Sequence, residues 1–402
     1  MGITFTNDQS KGFEIFDAGK SLFLTGDSGT GKTALVKAMI EKAQSEGRGI
    51  AVTASTGLAA SLLPGGRTIH SLLQTYPCMD LYNADFKEKA KNLEDIDLLI
   101  IDEISMIGKR FIPYLYNCLQ AKEGKVQLVV VGDFFQLPPV KDDYAFKSPY
   151  WNYLDLEPCV LHEVVRQKDE KLICNLNRLK YGDAGCIPYF MSNSSPVPFQ
   201  EQITICARAE NARRINDMQL ERLDGNAYTF TAQSEEGAFE SEIPAEERLI
   251  LKEGARVMAT VNSKEYQNGS LGTVIDMNCD SVDVLFDSGR EVRVFRRMFE
   301  SGRVNKEGRK LSVCQFPLRL AYAITIHKSQ GQTFSHVNID GSSCWAPGQL
   351  YVAISRAVAA EHIHFSSPIS AKNIKTDYSV LQFYRNLENS SFLTGSNTAA
   401  GY

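Results

Sequence analysis

Four short runs in the first half of the chain are apolar at nearly every position: Ser21–Leu24, Ile50–Ala54, Leu98–Ile101 and Val126–Val131. A strand with one wet face alternates apolar and polar residues. An unbroken apolar run of this length reads as a parallel strand buried on both faces. Lys32–Ser45 and Lys109–Lys122 carry apolar residues at helical spacing between those runs. Pro113 falls early in the second of these helices and marks its first turn, where a missing N–H costs little. The polar stretch Tyr76–Glu94 interrupts the alternation as a small insertion. A second alternating region starts near Ile203 and resumes at Leu318. Between them the period changes. Arg256–Val261, Gly272–Met277, Val282–Phe286 and Glu291–Phe295 alternate apolar with polar and are separated by Asn-Gly and Asp-Ser-Gly turns, the pattern of a small antiparallel barrel. The expected architecture is α/β, with two lobes at 1–165 and 166–402. Each carries an insertion, at 76–94 and about 255–316. The tail Ser390–Tyr402, rich in Ser, Gly, Asn and Ala, is expected to be flexible.

Composition narrows the class. The chain of 402 residues is 43% hydrophobic and 23% charged, enough to bury ordinary cores. No apolar run approaches the roughly 20 residues that span a bilayer, and Met1–Lys11 lacks the basic start and apolar stretch of a secretory signal. Nine cysteines are scattered singly, with no C-x-x-C pair, which favours reduced thiols and a cytoplasmic setting. The net charge of −5 argues against a protein that coats nucleic acid, though not against a local basic groove.

The chemistry starts after the first strand. Gly26-Asp27-Ser28-Gly29-Thr30-Gly31-Lys32-Thr33 follows an apolar run and opens a helix, the context that makes G-x-x-x-x-G-K-[ST] a phosphate loop. Backbone N–H groups from Gly26 to Thr33 close round the phosphates, Lys32 reaches the β and γ oxygens, and the Thr33 hydroxyl ligates Mg²⁺. Leu98–Glu103 is a buried strand ending in two carboxylates. Asp102 is expected to hold Mg²⁺ through water and Glu103 to orient or deprotonate the attacking water, which implies hydrolysis. Taken alone, that Asp-Glu pair also fits a plain helix start. Val129–Pro139 is another apolar strand leading into a polar loop, where Gln136 is placed to sense the γ-phosphate or to serve as a turn amide.

In order and spacing these segments resemble superfamily 1 helicases, and among them the petite integration frequency (PIF) family and its RecD-like relatives. Thr25–Thr33, Val52–Leu62, Leu98–Met106, Val131–Val140, Leu318–Thr333 and Leu350–Ala357 carry the match. Asp102-Glu103-Ile104-Ser105-Met106 with Gly132-Asp133-Phe134-Phe135-Gln136-Leu137-Pro138-Pro139-Val140 is its most specific part, and Ile107–Gln120 resembles a degenerate signature helix. The resemblance implies two RecA-like lobes, a small wedge at 76–94 and an SH3-like barrel over the DNA channel. It implies an ATP- and Mg²⁺-dependent DNA helicase moving 5′ to 3′ in replication, repair or recombination, in a minimal bacterial or phage-like form. By the same likeness Gln9, in Thr6-Asn7-Asp8-Gln9, reads the adenine. Arg166, in Leu161-His162-Glu163-Val164-Val165-Arg166-Gln167, and Arg356, in Leu350–Ala357, are the two arginine fingers. Gln330 and Gly331 approach the nucleotide from the second lobe.

The track is expected across both lobes. Thr53, Ser55, Thr56 and Gly57 end a strand and open a helix, where hydroxyls and N–H groups can hold a DNA phosphate while also capping the helix. Thr68 and His70, in Arg67-Thr68-Ile69-His70, resemble the next DNA-contacting motif, and Thr325, His327 and Lys328 its counterpart in the second lobe. Tyr76, Phe86 and Tyr351 can stack on bases or pack in cores. The arginines from Arg290 to Arg309 make the barrel half basic, which suits either a phosphate-facing or a solvated face. The expected partners are single-stranded DNA and forked or G-quadruplex DNA. The location expected is the cytoplasm, with the nucleoid. One chain suffices for the two-lobe design, and a dimer on DNA stays open. Two rivals stand: an ATPase switch for a protein partner, which has no need of Thr325–Gly331 plus Arg356, and an RNA helicase.

Overall fold

The computed structural model describes residues 4–395 except 62, 76–80, 82–83, 166–168, 193, 195–201, 241–242 and 305–308. The first lobe is a six-stranded, all-parallel sheet. Its strands are β1 (Leu22–Gly26), β2 (Ile50–Ala54), β3 (Arg67–Thr68), β4 (Leu98–Asp102), β5 (Gln127–Val131) and β6 (Glu157–Leu161), in the spatial order β3-β2-β4-β5-β1-β6. The unbroken apolar runs are explained by two buried layers. Leu22, Leu24, Leu98, Ile100, Val129 and Val131 face the helix Lys32–Ser45 through Leu35, Val36, Met39 and Ile40. Phe23, Leu99, Ile101, Leu128 and Val130 face the opposite core. Full burial of one such side chain is worth about 1.5–3 kcal/mol, so neither face tolerates a polar run. The polar loops leave the C-terminal ends of these strands, where parallel sheets hold ligands.

The second lobe repeats the plan in four parallel strands, ordered Ala323–Thr325, Ile203–Cys206, Val337–Ile339, Ile363–Phe365. Each sheet has an edge strand that runs straight into one turn of helix. Arg67–Thr68 enters Ile69–Leu72, and Ala323–Thr325 enters Ile326–Ser329. Both turns are capped alike: Thr68 Oγ1 accepts from Ser71 N at 3.0 Å and Thr325 Oγ1 from Lys328 N at 3.3 Å. Ile69 and Ile326 anchor them in the core.

The antiparallel module contains the four expected strands plus a fifth, in the order Glu291–Phe295, Ser281–Phe286, Leu271–Met277, Arg256–Ala259, Leu318–Leu320. Leu318 was expected to restart the second lobe. Instead it closes the module, because its side chain shares a core with Phe316 and Val257; the lobe restarts at Ala323. The module also begins before residue 255. Tyr228–Thr231 pairs with Arg248–Leu251, and Phe230, Leu249 and Leu251 join the same core. Its arginines are engaged in holding it. Arg293 forks onto Asp283 at 2.8 Å, Arg309 meets Glu235 at 2.9 Å, Arg297 donates to Asn262 O, and Arg296 lies 4.8 Å from the Phe316 ring centre. These four are partly occupied by intramolecular contacts, though Arg293 and Arg309 remain largely exposed.

The last helix of the second half of the chain packs against both lobes. The last helix, Tyr378–Gly395, continues past Ser390, where a flexible tail was expected; residues 396–402 lie outside the described ones. Its Phe383 enters an aromatic cluster of the first lobe, 4.3 Å from Phe146, 5.3 Å from Phe134 and 5.9 Å from Phe23 between ring centres. Part of the small insertion, with Tyr76, also lies outside the described residues. Its helix Phe86–Ala90 packs back on the lobe, Phe86 lying 5.8 Å from Tyr114, so Phe86 is a packing residue and not a base stacker.

Candidate nucleotide site and nucleic-acid track

The loop after β1 has the geometry of an anion cradle. Gly31 caps the helix Lys32–Ser45 at φ 81°, and a Cβ there would sit 2.5 Å from Gln9 Nε2, so only glycine fits. The helix N-terminus therefore opens onto the loop with its N–H groups and its positive dipole end. Lys32 Nζ spans the loop, donating to Gly26 O at 2.7 Å and Asp27 O at 2.9 Å; the Thr30 hydroxyl donates to Asp27 O at 2.9 Å. Gly29 and Thr33 lie in the same loop and first helical turn, Thr33 exposed. Gln9 lies at the rim: its Oε1 accepts from Thr6 N at 3.1 Å, closing a capping box, and its Nε2 donates to Thr30 O at 3.1 Å.

Three carboxyl groups end the neighbouring strands. Asp102 closes β4, and its Oδ1 accepts from Glu103 N at 2.8 Å. Glu103 adopts φ 54°, a left-handed conformation that non-glycine residues occupy at a cost of about 1–2 kcal/mol and that turns its side chain into the cleft. Burial and then the adjacent Glu103 charge push Asp102 up to about 7, against the pull of Lys32. Burial likewise raises Asp133, beyond β5, to about 6, again against Lys32. Burial lowers Lys32 itself, opposed by Asp133, Glu103, Asp27 and Asp102. Asp133 Oδ2 is buried without a hydrogen-bond partner. Carboxylates held next to one another in this burial suit Mg²⁺, an oxygen-seeking cation usually held by one or two protein ligands plus substrate phosphates.

The second lobe enters this cleft directly. Arg356 is 2% exposed. Its Nη2 donates to Ser28 Oγ of the phosphate loop at 3.1 Å, while Nε and Nη1 are fixed by Val352 O at 3.0 Å and Gln332 O at 3.1 Å. Ser28 N donates to Tyr351 OH at 3.2 Å, so Tyr351 is a cleft residue and not a base stacker. Gln330 Nε2 donates to Glu103 Oε2 at 2.9 Å and lies 3.4 Å from Gln136 Oε1, bringing both catalytic candidates under one amide from the opposite lobe. Gly331 follows at φ 75°, behind the Gln330 side chain. Gly348 sits at φ 75° so tightly that a Cβ would collide with the Phe135 and Gln136 carbonyl oxygens. Arg166 lies outside the described residues; its neighbour Val165 donates its N–H to Gly29 O of the phosphate loop at 2.9 Å.

Sequence patterns pointed to neither Tyr384 nor Lys180. The Tyr384 hydroxyl lies 2.7 Å from Thr25 Oγ1 and accepts from Phe134 N at 3.0 Å, and its ring stacks on Phe135 at 4.8 Å. Lys180 pairs with Asp27 at 2.5 Å. Both come from helices far along the chain, so no local spacing marks them.

The track residues divide. Thr53 is a correction: it is fully buried, and its hydroxyl donates to Ile100 O at 2.6 Å, so β-sheet packing removes it from any DNA surface. Ser55 Oγ is buried without a partner, and Thr56 Oγ1 caps Ala59 N at 3.2 Å beside exposed Gly57. Thr68 and Thr325 accept with their hydroxyl oxygens in capping, and their O–H groups can still donate; exposed His70, 5.0 Å from the Phe111 ring, and half-buried His327 with exposed Lys328 stand beside them. A groove of about 780 Å³ runs past Thr325 and Lys328 between Arg213, Arg248 and Arg319.

The fold and cleft define a two-lobed phosphate-loop ATPase of the helicase type, with the hydrolytic groups on one lobe and an arginine supplied by the other. The chain belongs to the PIF1-like helicase family. Residues 5–175 match the sequence profile of PIF1-like helicases, and residues 320–360 that of the UvrD-like helicase C-terminal domain. The chain is similar to the ATP-dependent DNA helicase Pif1 of Bdellovibrio bacteriovorus, with 32% identity over 96% of this chain and 93% of that protein. Among solved structures it resembles the Pif1 helicase of Candida albicans (TM-score 0.84, 30% identity, 96% and 100% of the two chains). It also resembles Bacteroides Pif1 bound to single-stranded DNA (TM-score 0.77, 30% identity, 97% and 98%). Among the described residues no helix is long and apolar enough to cross a membrane.

Proposed function

We propose a division of labour for this ATP-dependent DNA helicase, which translocates 5′ to 3′ on single-stranded DNA. Gly26, Ser28, Gly29, Thr30 and Gly31 cradle the phosphates, Lys32 binds the β and γ oxygens, and Gln9 takes the adenine edge with its remaining N–H and lone pair. Thr33 and Asp102 hold Mg²⁺, which neutralises charge on the phosphates when bound. Glu103 orients and deprotonates water, Gln136 senses the γ-phosphate, and Arg356, with Arg166, stabilises charge developing on the γ oxygens. Gln330 and Gly331 close over the site. Ser55, Thr56, Gly57, Thr68 and His70 grip the DNA backbone on the first lobe; Thr325, His327 and Lys328 grip it on the second. The wedge at 76–94 and an SH3-like barrel over the channel are the insertions, and forked and G-quadruplex DNA are the structures resolved, on the nucleoid.

The observation that carries this is the Arg356–Ser28 hydrogen bond across the cleft. A planar guanidinium from one lobe reaches the phosphate loop of the other only when they close, so nucleotide state and lobe spacing are coupled. The test is ATP turnover with and without oligothymidine, then strand separation of forks bearing a 5′ or a 3′ tail. Failure of single-stranded DNA to raise turnover leaves the switch ATPase standing, and greater stimulation by RNA favours an RNA helicase.

A further inference from the structure

The loop that must hold a triphosphate carries a carboxylate. Asp27 lies between Gly26 and Ser28, and four negative charges arriving beside it should be repelled. The structure supplies a counterweight from elsewhere in the chain. Lys180, the last residue of the helix Glu170–Lys180, is 8% exposed and places Nζ 2.5 Å from Asp27 Oδ1. That ammonium is held from several sides. It lies 5.0 Å from the Phe135 ring centre and 4.7 Å from that of Tyr181, and the Lys180 carbonyl accepts from the Thr376 hydroxyl at 2.8 Å. The backbone of Asp27 is committed as well: its carbonyl accepts from Lys32 Nζ and from the Thr30 hydroxyl. The position of the Asp27 side chain is therefore tied to the two residues that shape the loop.

We propose that Lys180 is a positioning residue for ATP binding: its charge cancels that of Asp27 and fixes the phosphate loop, so that the triphosphate meets a neutral side chain and not an anion. A lysine buried only to fill space would be replaceable by methionine. A lysine buried to neutralise Asp27 is replaceable only if Asp27 is neutralised too. Because the uncompensated charge would oppose ATP before and during reaction alike, its removal acts on KM more than on kcat.

The proposal rests on ATP occupying the Gly26–Thr33 loop, and the experiment separates the two. ATP turnover is measured on the full chain with saturating oligothymidine for wild type, Lys180→Met, Lys180→Arg, Asp27→Asn and the double variant Asp27→Asn/Lys180→Met. Lys180→Met should raise KM for ATP at least about tenfold, with kcat within about threefold. Lys180→Arg should lie near wild type, Asp27→Asn at or below the wild-type KM, and the double variant within about threefold of wild type. A double variant as impaired as Lys180→Met, or an unmoved KM in Lys180→Met, overturns the pair while leaving the ATP site intact. Turnover surviving Lys32→Ala would overturn the site assignment itself. Should Lys180→Met not fold, Asp27→Asn decides alone, since a KM raised tenfold there contradicts neutralisation and an unchanged or lower KM upholds it.

Discussion

Replacing Arg356 by alanine tests the coupling of the lobes most directly. The side chain is buried and its fork is spent on Ser28 Oγ, Val352 O, Gln332 O and Ser355 Oγ, at 2.9–3.1 Å. Two consequences follow, and they differ in size. The folded state loses a guanidinium that satisfies two buried carbonyls, which costs about 2–4 kcal/mol where water cannot enter. The reaction loses the cation from the second lobe, and arginine fingers are worth about 10³–10⁵ in turnover. At 1.36 kcal/mol per decade, the lower bound is about 4 kcal/mol of transition-state stabilisation. The expected result is therefore a protein that melts a few degrees lower, binds a fluorescent ATP analogue within about threefold of wild type, and turns ATP over about 10³-fold more slowly. Arg356→Lys should keep the charge and lose the fork, falling between the two. Single-turnover hydrolysis with saturating oligothymidine is the assay, with nucleotide binding measured separately. Unchanged turnover removes Arg356 from the site. Binding lost in step with turnover would make it a structural clasp of the loop, not a group that acts on the developing charge.

Three further outcomes are expected. Lys32→Ala should abolish ATP turnover yet bind an oligothymidine within about threefold of wild type by fluorescence anisotropy, because its ammonium is hydrogen-bonded to the phosphate loop; equal loss of both would contradict that separation. Gln330→Ala removes a direct contact of the second lobe with Glu103 and should reduce stimulation by single-stranded DNA about tenfold, with basal turnover kept within about threefold, measured as the ratio of the two rates; a normal ratio would free Gln330 from the coupling. Tyr384→Phe strips the hydroxyl shared by Thr25 Oγ1 and Phe134 N, leaving a buried N–H unpaired at about 1–3 kcal/mol, so the melting temperature should fall by a few degrees; an unchanged melt would mean that these groups find other partners.

What was legible in the sequence had a local signature. The phosphate loop, Asp102-Glu103 and the four antiparallel strands of the insertion each depend on a few adjacent residues: glycines for a turn, apolar runs for two-sided burial, alternation for one-sided burial. Arg356 and Gln330 were readable through motif order, and the structure brings both to the cleft. Long-range partnership was not legible. Tyr384 is 251 residues from Asp133 and Lys180 is 153 from Asp27, and a tyrosine or lysine on an ordinary helix has no mark of what it will touch. The error at Thr53 has a different origin. A hydroxyl at a strand end looks available in sequence, but here the adjacent strand offers Ile100 O, and a buried hydroxyl must take such a partner. The reach of the last helix was hidden for a related reason, since its Phe383 lies far along the chain yet packs against first-lobe aromatic rings.

In the proposed function, one short connection links the DNA grip of the second lobe to the chemistry. Thr325 caps the single turn Ile326–Ser329, and Gln330 is the next residue. Ile326 is fully buried and Ser329 Oγ donates back to Ile326 O at 2.8 Å, so the turn moves as a body or not at all. His327 and Lys328 stand on its outer side, and the Gln330 amide on its inner side holds Glu103. Glu103 in turn sits in a left-handed conformation that stores about 1–2 kcal/mol and stays in place only while its surroundings over-determine it. In the proposed function, a phosphate drawn onto the outer side of that turn would bias the inner amide, and the amide the carboxylate assigned to orient water. That proposed coupling needs no long relay, because the assigned grip and the Gln330 amide lie within the six residues Thr325–Gln330.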